Sequence, residues 1–166
     1  MHRALRAACH FRRAPPPPLG TDAMKRIYVV GTADTKGQEL QYVKSLIAAA
    51  GAPAILVNVG TRTTQVAVDI AAAEVAGFHP HGAQFVLGGD DRGAAVEAMG
   101  EAFARFIVSR SDIAGIIGLG GGGGTSIITA GMRAMPIGLP KLMVSTLAAG
   151  DVGFRLVRRF VPAKAV

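Results

Sequence analysis

Apolar residues along this chain alternate between short continuous runs and longer stretches with helical spacing. The short runs, rich in β-branched residues, lie at 27–30, 54–59, 116–117 and 141–146. Runs of this kind predict strands that are buried on both faces of a parallel sheet. Because helical stretches separate them, the chain is predicted to form an open, doubly wound, mostly parallel α/β sheet, Rossmann-like, with about four strands and about four helices.

The helical stretches differ in how regular they are. Apolar residues recur at three- and four-residue intervals over 40–47, 69–76, 96–107 and 127–132. The segment 77–89 has no such period and contains Pro80, so it is predicted to be an irregular excursion. His79 and His81, in this segment, are predicted to be exposed.

A run of glycines follows the third predicted strand. Ile116 and Ile117 lead into Gly120, Gly121, Gly122, Gly123 and Gly124, with Thr125 and Ser126 opening the next helix. When a strand is followed by a glycine loop and a helix N-terminus, backbone amide groups are left free to bind an anion. A phosphate is the expected ligand. The run lacks the Lys-Ser/Thr ending of a Walker loop, and a tightly packed turn without a ligand is the alternative interpretation.

Small and hydroxyl residues follow every predicted strand. They are Thr32, Asp34, Thr35 and Lys36 after the first, Gly60, Thr61 and Arg62 after the second, the glycines and Thr125 after the third, and Ser145 and Thr146 after the fourth. The carboxyl ends of parallel strands meet at one edge of a sheet, where ligands bind. Amides and hydroxyls without an evident nucleophile favour a nucleotide cradle, and Arg92 is added to its predicted wall.

Several of these residues have a second interpretation. Asp34, Asp90 or Asp151 is able to hold Mg²⁺ through water, but Asp34 is equally suited to capping the first helix. Lys36 is typical of a solvated first helical turn. The sequence around Arg92 also fits a turn and helix cap in which the arginine pairs with a neighbouring carboxylate. No catalytic residue and no metal-ligand spacing is assigned.

The composition of the chain is unusual mainly in its two terminal segments. Half of the 166 residues are hydrophobic, and the formal charge is +7. Residues 1–23 are Arg- and Pro-rich and residues 153–166 are basic; together they carry the whole excess, so the part between them is neutral and lacks a nucleic-acid footprint. The first segment is interpreted as a disordered tail: a start at Met24 is the favoured explanation for it, and a targeting segment with the composition of a transit peptide is the alternative. One cysteine, Cys9, and no apolar stretch of transmembrane length predict a cytoplasmic protein without membrane contact.

Several motifs together resemble a known family. They occupy 30–39, 91–96, 118–125, 139–146 and 150–152. In this order they are similar to the family of the tomato mosaic virus resistance protein, an ATP-binding-domain family that also occurs in bacteria. The resemblance implies that residues 24–152 form the first of two subdomains and bind ATP, with or without Mg²⁺. It places the nucleotide on the glycines and Thr125, with the other wall residues around it.

The resemblance stops near residue 152. The family continues into a second subdomain, whereas this chain continues into the basic segment 153–166, which suggests a frameshift or a truncated product. The surface meant for the second subdomain is then expected to be covered by an adjacent module or by a second copy of the chain. Two other function classes stay open: an enzyme that acts on a small phosphorylated or carboxylated metabolite, and an interaction module without a ligand.

Overall fold

The computed structural model describes residues 25–146 and the backbone of 155–157. The predicted tail 1–23, most of the segment 153–166 and Asp151 lie outside the described residues. In chain order the elements are β1 (Arg26–Gly31), α1 (Ala33–Ala49), β2 (Ala54–Asn58), α2 (Ala72–Ala76), α3 (Ala83–Leu87), α4 (Arg92–Val108), β3 (Ile113–Gly120), α5 (Gly122–Ala134), β4 (Lys141–Ser145) and β5 (Arg155–Val157).

The strands form one open sheet in the order β2-β1-β3-β4-β5. The first four are parallel, as the alternation of strands and helices predicts, and the short β5 pairs antiparallel with β4. The predicted open, mostly parallel α/β sheet is therefore confirmed. No helix in residues 25–146 is both long and apolar enough to cross a bilayer.

Helices cover both faces of the sheet. Alternate residues of each strand point to opposite faces, so Val29 and Leu56 pack with Leu40 of α1 in one core cluster. Tyr28 and Val57 point the other way, into the larger cluster that α2 to α5 help to build. Helices therefore cover both faces of the sheet, and the edge formed by the carboxyl ends of the parallel strands stays open for a site.

Close packing of α4 on α5 depends on small residues. A β-carbon at Gly131 of α5 would lie 2.4 Å from the ring of Phe103 in α4, so the aromatic ring occupies the place of a side chain. Gly100 of α4 lies over Ala130 with ordinary van der Waals spacing, 3.6 Å from its would-be β-carbon, so the two helices are also close at this point. These contacts hold the two helices, and hence the first turn of α5, firmly against the sheet.

Two predictions for the segment 77–89 are wrong. The segment contains the helix α3, which packs on α2 and α4. His79 is buried, only 7% exposed, and stacks on Phe85 with ring centroids 4.9 Å apart. Its Nδ1 accepts a hydrogen bond from the amide of His81, and His81 itself is exposed as predicted. Packing against α4, which local periodicity does not encode, determines the structure of this segment.

A buried tyrosine anchors the amino edge of the sheet. The Tyr28 hydroxyl donates to Asp112 Oδ1 at 2.7 Å and accepts from Arg110 Nε at 3.0 Å. Burial and the bond to Asp112 raise the pKa of Tyr28 to about 12, so the hydroxyl stays a donor. Burial acts to raise the pKa of Asp112, but the hydrogen bonds from Tyr28 and Arg110 outweigh it and the pKa is lowered.

The lowered pKa of Asp112 makes this contact sensitive to acid. A carboxyl group whose pKa is lower in the folded than in the unfolded state stabilises the fold above the unfolded value, about 3.9, and loses this effect as pH falls through the folded value. We expect Asp112→Asn to lower the free energy of unfolding at pH 7 by about 1–2 kcal/mol, with a smaller difference from wild type below about pH 3. Urea unfolding between pH 2 and 7 measures this. The exposed Asp90→Asn is the control, and an equal loss at all pH values would contradict the prediction.

Candidate functional site

The site lies where the direction of the chain along the sheet reverses. From β1 the chain crosses first to β2 on one side and later to β3 on the other. The connections that leave β1 and β3 therefore diverge and open a crevice beyond their carboxyl ends. In open α/β sheets this crevice is where ligands bind.

Three helices begin at this crevice, and they differ in which groups accept hydrogen bonds from their first amides. In α4 the carboxylate of Asp91 accepts from the amides of Gly93 and Ala94, at 2.7 and 3.2 Å. In α1 the amide of Ala33 donates to Asn58 Oδ1 at 3.0 Å. The first turn of α5 follows Gly121 and has no side-chain cap. Its leading amides therefore lack an acceptor within the helix.

The uncapped first turn of α5 borders a small cavity of about 80 Å³. The cavity is lined by Thr32, Asp34, Thr35, Thr61, Arg62, Arg92, Val96, Gly121, Gly122, Gly123, Gly124 and Ile127. Sites that enclose a drug-sized ligand usually measure about 300–1,000 Å³. The enclosed part of this cavity is therefore closer in size to one phosphate group than to a whole nucleotide.

Positive charge surrounds the mouth of the cavity. Arg62 and Arg92 are exposed, and within residues 25–146 neither guanidinium has a hydrogen-bond or ion-pair partner. The expected pairing of Arg92 with a neighbouring carboxylate is therefore absent from this part of the chain, although Asp91 does cap α4. Two free guanidinium groups beside an uncapped helix N-terminus make a site for an anion.

One wall of the cavity is negative. Asp34 stands in the first turn of α1, and its Oδ1 atom is buried without a hydrogen-bond partner among the described residues. A β-carbon at Gly60 would lie only 2.5 Å from this oxygen, so a side chain at position 60 would displace it. The glycine after β2 thus permits the close approach of Asp34.

The predicted glycine loop is shorter than the sequence suggested. Gly120 ends β3, Gly121 is the single connecting residue, and Gly122 to Gly124 are already helical. Glycine has a low helix propensity, which is why a loop was expected; here tertiary packing overrides it. The glycines of the run that line the cavity, Gly122 to Gly124, are consequently held in the first turn of a helix.

The structure divides the thirteen predicted binding residues into two groups. The cavity is lined by Gly121, Gly122, Gly123, Gly124, Thr32, Asp34, Thr35 and Arg92. The residues Gly120, Thr125, Lys36, Ser145 and Thr146 lie outside its lining.

Those outside the lining make other contacts. Thr125 Oγ1 and the buried Ser145 Oγ are 2.7 Å apart, which ties α5 to β4. Lys36 Nζ pairs with Glu39 at 2.8 Å, and the amide of Thr146 donates to Gly120 O.

Sequence reasoning missed four residues of the lining. Thr61 and Arg62 were placed after the second strand but were not chosen as wall residues, and their position beyond a strand end was the signal for them. Val96 and Ile127 carry no such signal, because each reads as an ordinary apolar position of its helix. Asn58, whose oxygen positions the loop through the amides of Ala33 and Gly60, was also missed.

Comparisons with known proteins agree with the resemblance found in the sequence. Residues 25–158 match the N-terminal domain of the uncharacterised protein family UPF0261, and this match includes β5 and the first part of the basic segment. A UPF0261 protein of Rhizobium meliloti is 68% identical over 130 residues, which cover 78% of this chain and 33% of that protein. One from Mesorhizobium japonicum is 67% identical over 77% of this chain and 32% of its own length.

Two tomato proteins are more distant relatives. The ToMV resistance protein Tm-1 of Solanum lycopersicum is 32% identical over 76% of this chain and 19% of its own length. The corresponding ToMV susceptible protein is 31% identical over the same shares. Since a resistant and a susceptible form match almost equally, similarity in this region does not carry resistance with it. The chain spans about a third of the length of its bacterial relatives named above, and it belongs to the UPF0261 family, matching that family's N-terminal domain.

Proposed function

We propose that this chain is an ATP-binding module, and that its crevice holds a phosphate group of the nucleotide. One observation carries the proposal: the first turn of α5 and two arginines, Arg62 and Arg92, line the same small cavity where the order of the strands reverses, and among the described residues the turn has no side-chain cap and the arginines have no side-chain partner. Helix N-termini bind phosphate through their free amides and their partial positive charge. Arginine adds charge-assisted hydrogen bonds to the remaining oxygens.

The small volume of the cavity determines how much of the nucleotide this module holds. A cavity of about 80 Å³ is close in size to one phosphate group, and the described residues that line it include no aromatic side chain on which a base would stack. We therefore expect the base and ribose to be held outside this cavity, by residues beyond its lining or by a second copy of the chain. The antiviral role of the tomato relative is not carried over, and we place this module in the cytoplasm, in line with its single cysteine.

The arginines provide the first test. A ligand that binds only the folded state raises the unfolding midpoint, by about 2.7 kcal/mol of stability when its concentration is 100 times Kd. We expect millimolar Mg-ATP to raise the midpoint of the full chain, and Arg92→Gln to weaken binding at least tenfold. Thermal unfolding with increasing Mg-ATP measures both.

Arg133→Gln is the matched control. It removes the same charge from the far end of α5, where Arg133 is exposed and does not line the cavity. Equal weakening by both substitutions would mean that only overall charge matters, and would contradict a specific role for Arg92. A cooperative transition that Mg-ATP leaves unchanged in the wild type would contradict the proposed function.

A further inference from the structure

The least satisfied group of the described fold is the Asp34 carboxylate. Its Oδ1 atom is buried and accepts no hydrogen bond from any described residue. A buried acceptor without a partner costs about 1–3 kcal/mol, and more when it is charged. Native proteins retain such groups where an ion, a water or a ligand completes them.

The position of Asp34 makes its carboxylate relevant to the ligand. Asp34 lines the same 80 Å³ cavity as the first turn of α5. A phosphate bound there would stand beside a carboxylate, and two negative charges about 4 Å apart repel by roughly 1 kcal/mol even in water and by more in a less polar environment. We expect Arg62 and Arg92 to neutralise the phosphate, but within residues 25–146 neither of them forms an ion pair with Asp34.

A divalent cation would remove this repulsion between the Asp34 carboxylate and the phosphate. Placed between the two anions, it turns their repulsion into two attractions. The oxygen atoms around Asp34 suit a hard cation: the hydroxyls of Thr32 and Thr35 are 2.8 Å apart, and Thr61 borders the same cavity. Mg²⁺ in particular keeps several waters and needs only one or two carboxylates when a phosphate supplies the rest.

The described residues alone offer few charged ligands for such an ion. Within residues 25–146 no group of three or more His, Cys, Asp or Glu side chains is placed to hold a metal. The cation must therefore arrive with the phosphate, or bind after it.

We propose that Asp34 binds, directly or through water, a divalent cation that bridges to the ligand's phosphate, so that the site takes a metal–phosphate complex and not the bare anion. The inference rests on the proposed function and specifies the ligand of that site. Mg²⁺ binding and phosphate binding are then coupled, and each raises the affinity for the other by the same factor.

Calorimetric titration of the full chain with ATP, once with Mg²⁺ and once with EDTA, tests the coupling. We expect Mg²⁺ to raise the affinity of the wild type at least tenfold. Asp34→Asn keeps the shape of the side chain and removes its charge, so the variant is expected to lose most of the Mg²⁺ effect and to bind ATP in EDTA at least as tightly as the wild type does. Asp90→Asn, which removes an exposed carboxylate outside the cavity, should keep the wild-type behaviour.

A measurement on the wild type alone tests the proposal even if the Asp34→Asn variant does not fold. Mn²⁺ broadens the amide NMR signals of residues close to it. With ATP present, it should broaden those of Asp34 and Thr61, and without ATP it should leave them unchanged. Tight ATP binding that is equal in Mg²⁺ and EDTA, or an undiminished Mg²⁺ effect in Asp34→Asn, overturns this inference alone; no ATP binding in either buffer overturns the proposed function as well.

Discussion

Gly120→Ala is expected to destabilise the protein by about 3 kcal/mol, within the upper range for an overpacked core site. Gly120 ends β3 directly under the first turn of α5. A β-carbon there would lie 2.6 Å from the amide nitrogen of Thr125 and 2.8 Å from the carbonyl carbon of Gly124. Both contacts are with backbone, which cannot rotate away, so the strand and the helix would have to separate. Urea unfolding monitored by circular dichroism measures the loss.

Gly122→Ala is the matched control for this prediction. Position 122 has no atom within 4 Å of a would-be β-carbon, and its backbone angles are those of an ordinary helix. The substitution should leave stability unchanged or raise it by up to about 1 kcal/mol, because alanine loses less backbone entropy on folding than glycine. Similar losses in both variants would contradict the distinction between a glycine required for packing and one that faces the cavity.

The second large effect concerns the ligand and not the fold. Gly122→Val is expected to weaken Mg-ATP binding at least 100-fold while the free energy of unfolding stays within about 1 kcal/mol of wild type. A β-carbon at position 122 meets no protein atom within 4 Å, and Gly122 lines the cavity, so we expect the valine side chain to take space that the phosphate needs beside the α5 amides. Isothermal titration calorimetry gives the affinity, and chemical unfolding checks the stability.

Two outcomes would contradict this second prediction. Undiminished affinity in Gly122→Val would place the nucleotide elsewhere on the protein. A loss of affinity together with a large loss of stability would show that position 122 is a packing site, contrary to its open surroundings. Gly138→Ala, with a positive φ of 100° on the approach to β4, changes a glycine at the opposite edge of the sheet and should leave the affinity at its wild-type value.

The strands and the long helices were predictable because each carries its own local signal. The run at 27–30 needs burial on both faces, and the sheet places it in β1 between two neighbours. The apolar spacing over 96–107 lies within α4. By contrast, α3 has a single buried residue, Val86, and so shows too little periodicity to be found. Its position depends on α4, which a local pattern does not contain.

The site was predictable in outline and not in detail, for a related reason. The carboxyl ends of parallel strands must meet, which is why Thr32 and the glycine run were expected together and are found together. Which face of a residue points into the cavity depends on contacts that are distant along the chain. Thr125 turns to Ser145, 20 residues away, and so does not line the cavity. The orphan oxygen of Asp34 becomes visible only when Gly60 and its neighbours are in place.

The central claim is that the amides at the start of α5 hold the ligand's phosphate, and amide NMR of the full ¹⁵N-labelled chain during a titration with Mg-ATP tests it most directly. We expect the signals of Gly122, Gly123 and Gly124 to show the largest saturable shifts, because their N–H groups gain a charged acceptor. The signals of Gly51 and Gly138, at the opposite edge of the sheet, should stay in place. Saturable binding that leaves the three α5 glycines unshifted, or no binding at millimolar Mg-ATP, would contradict the account.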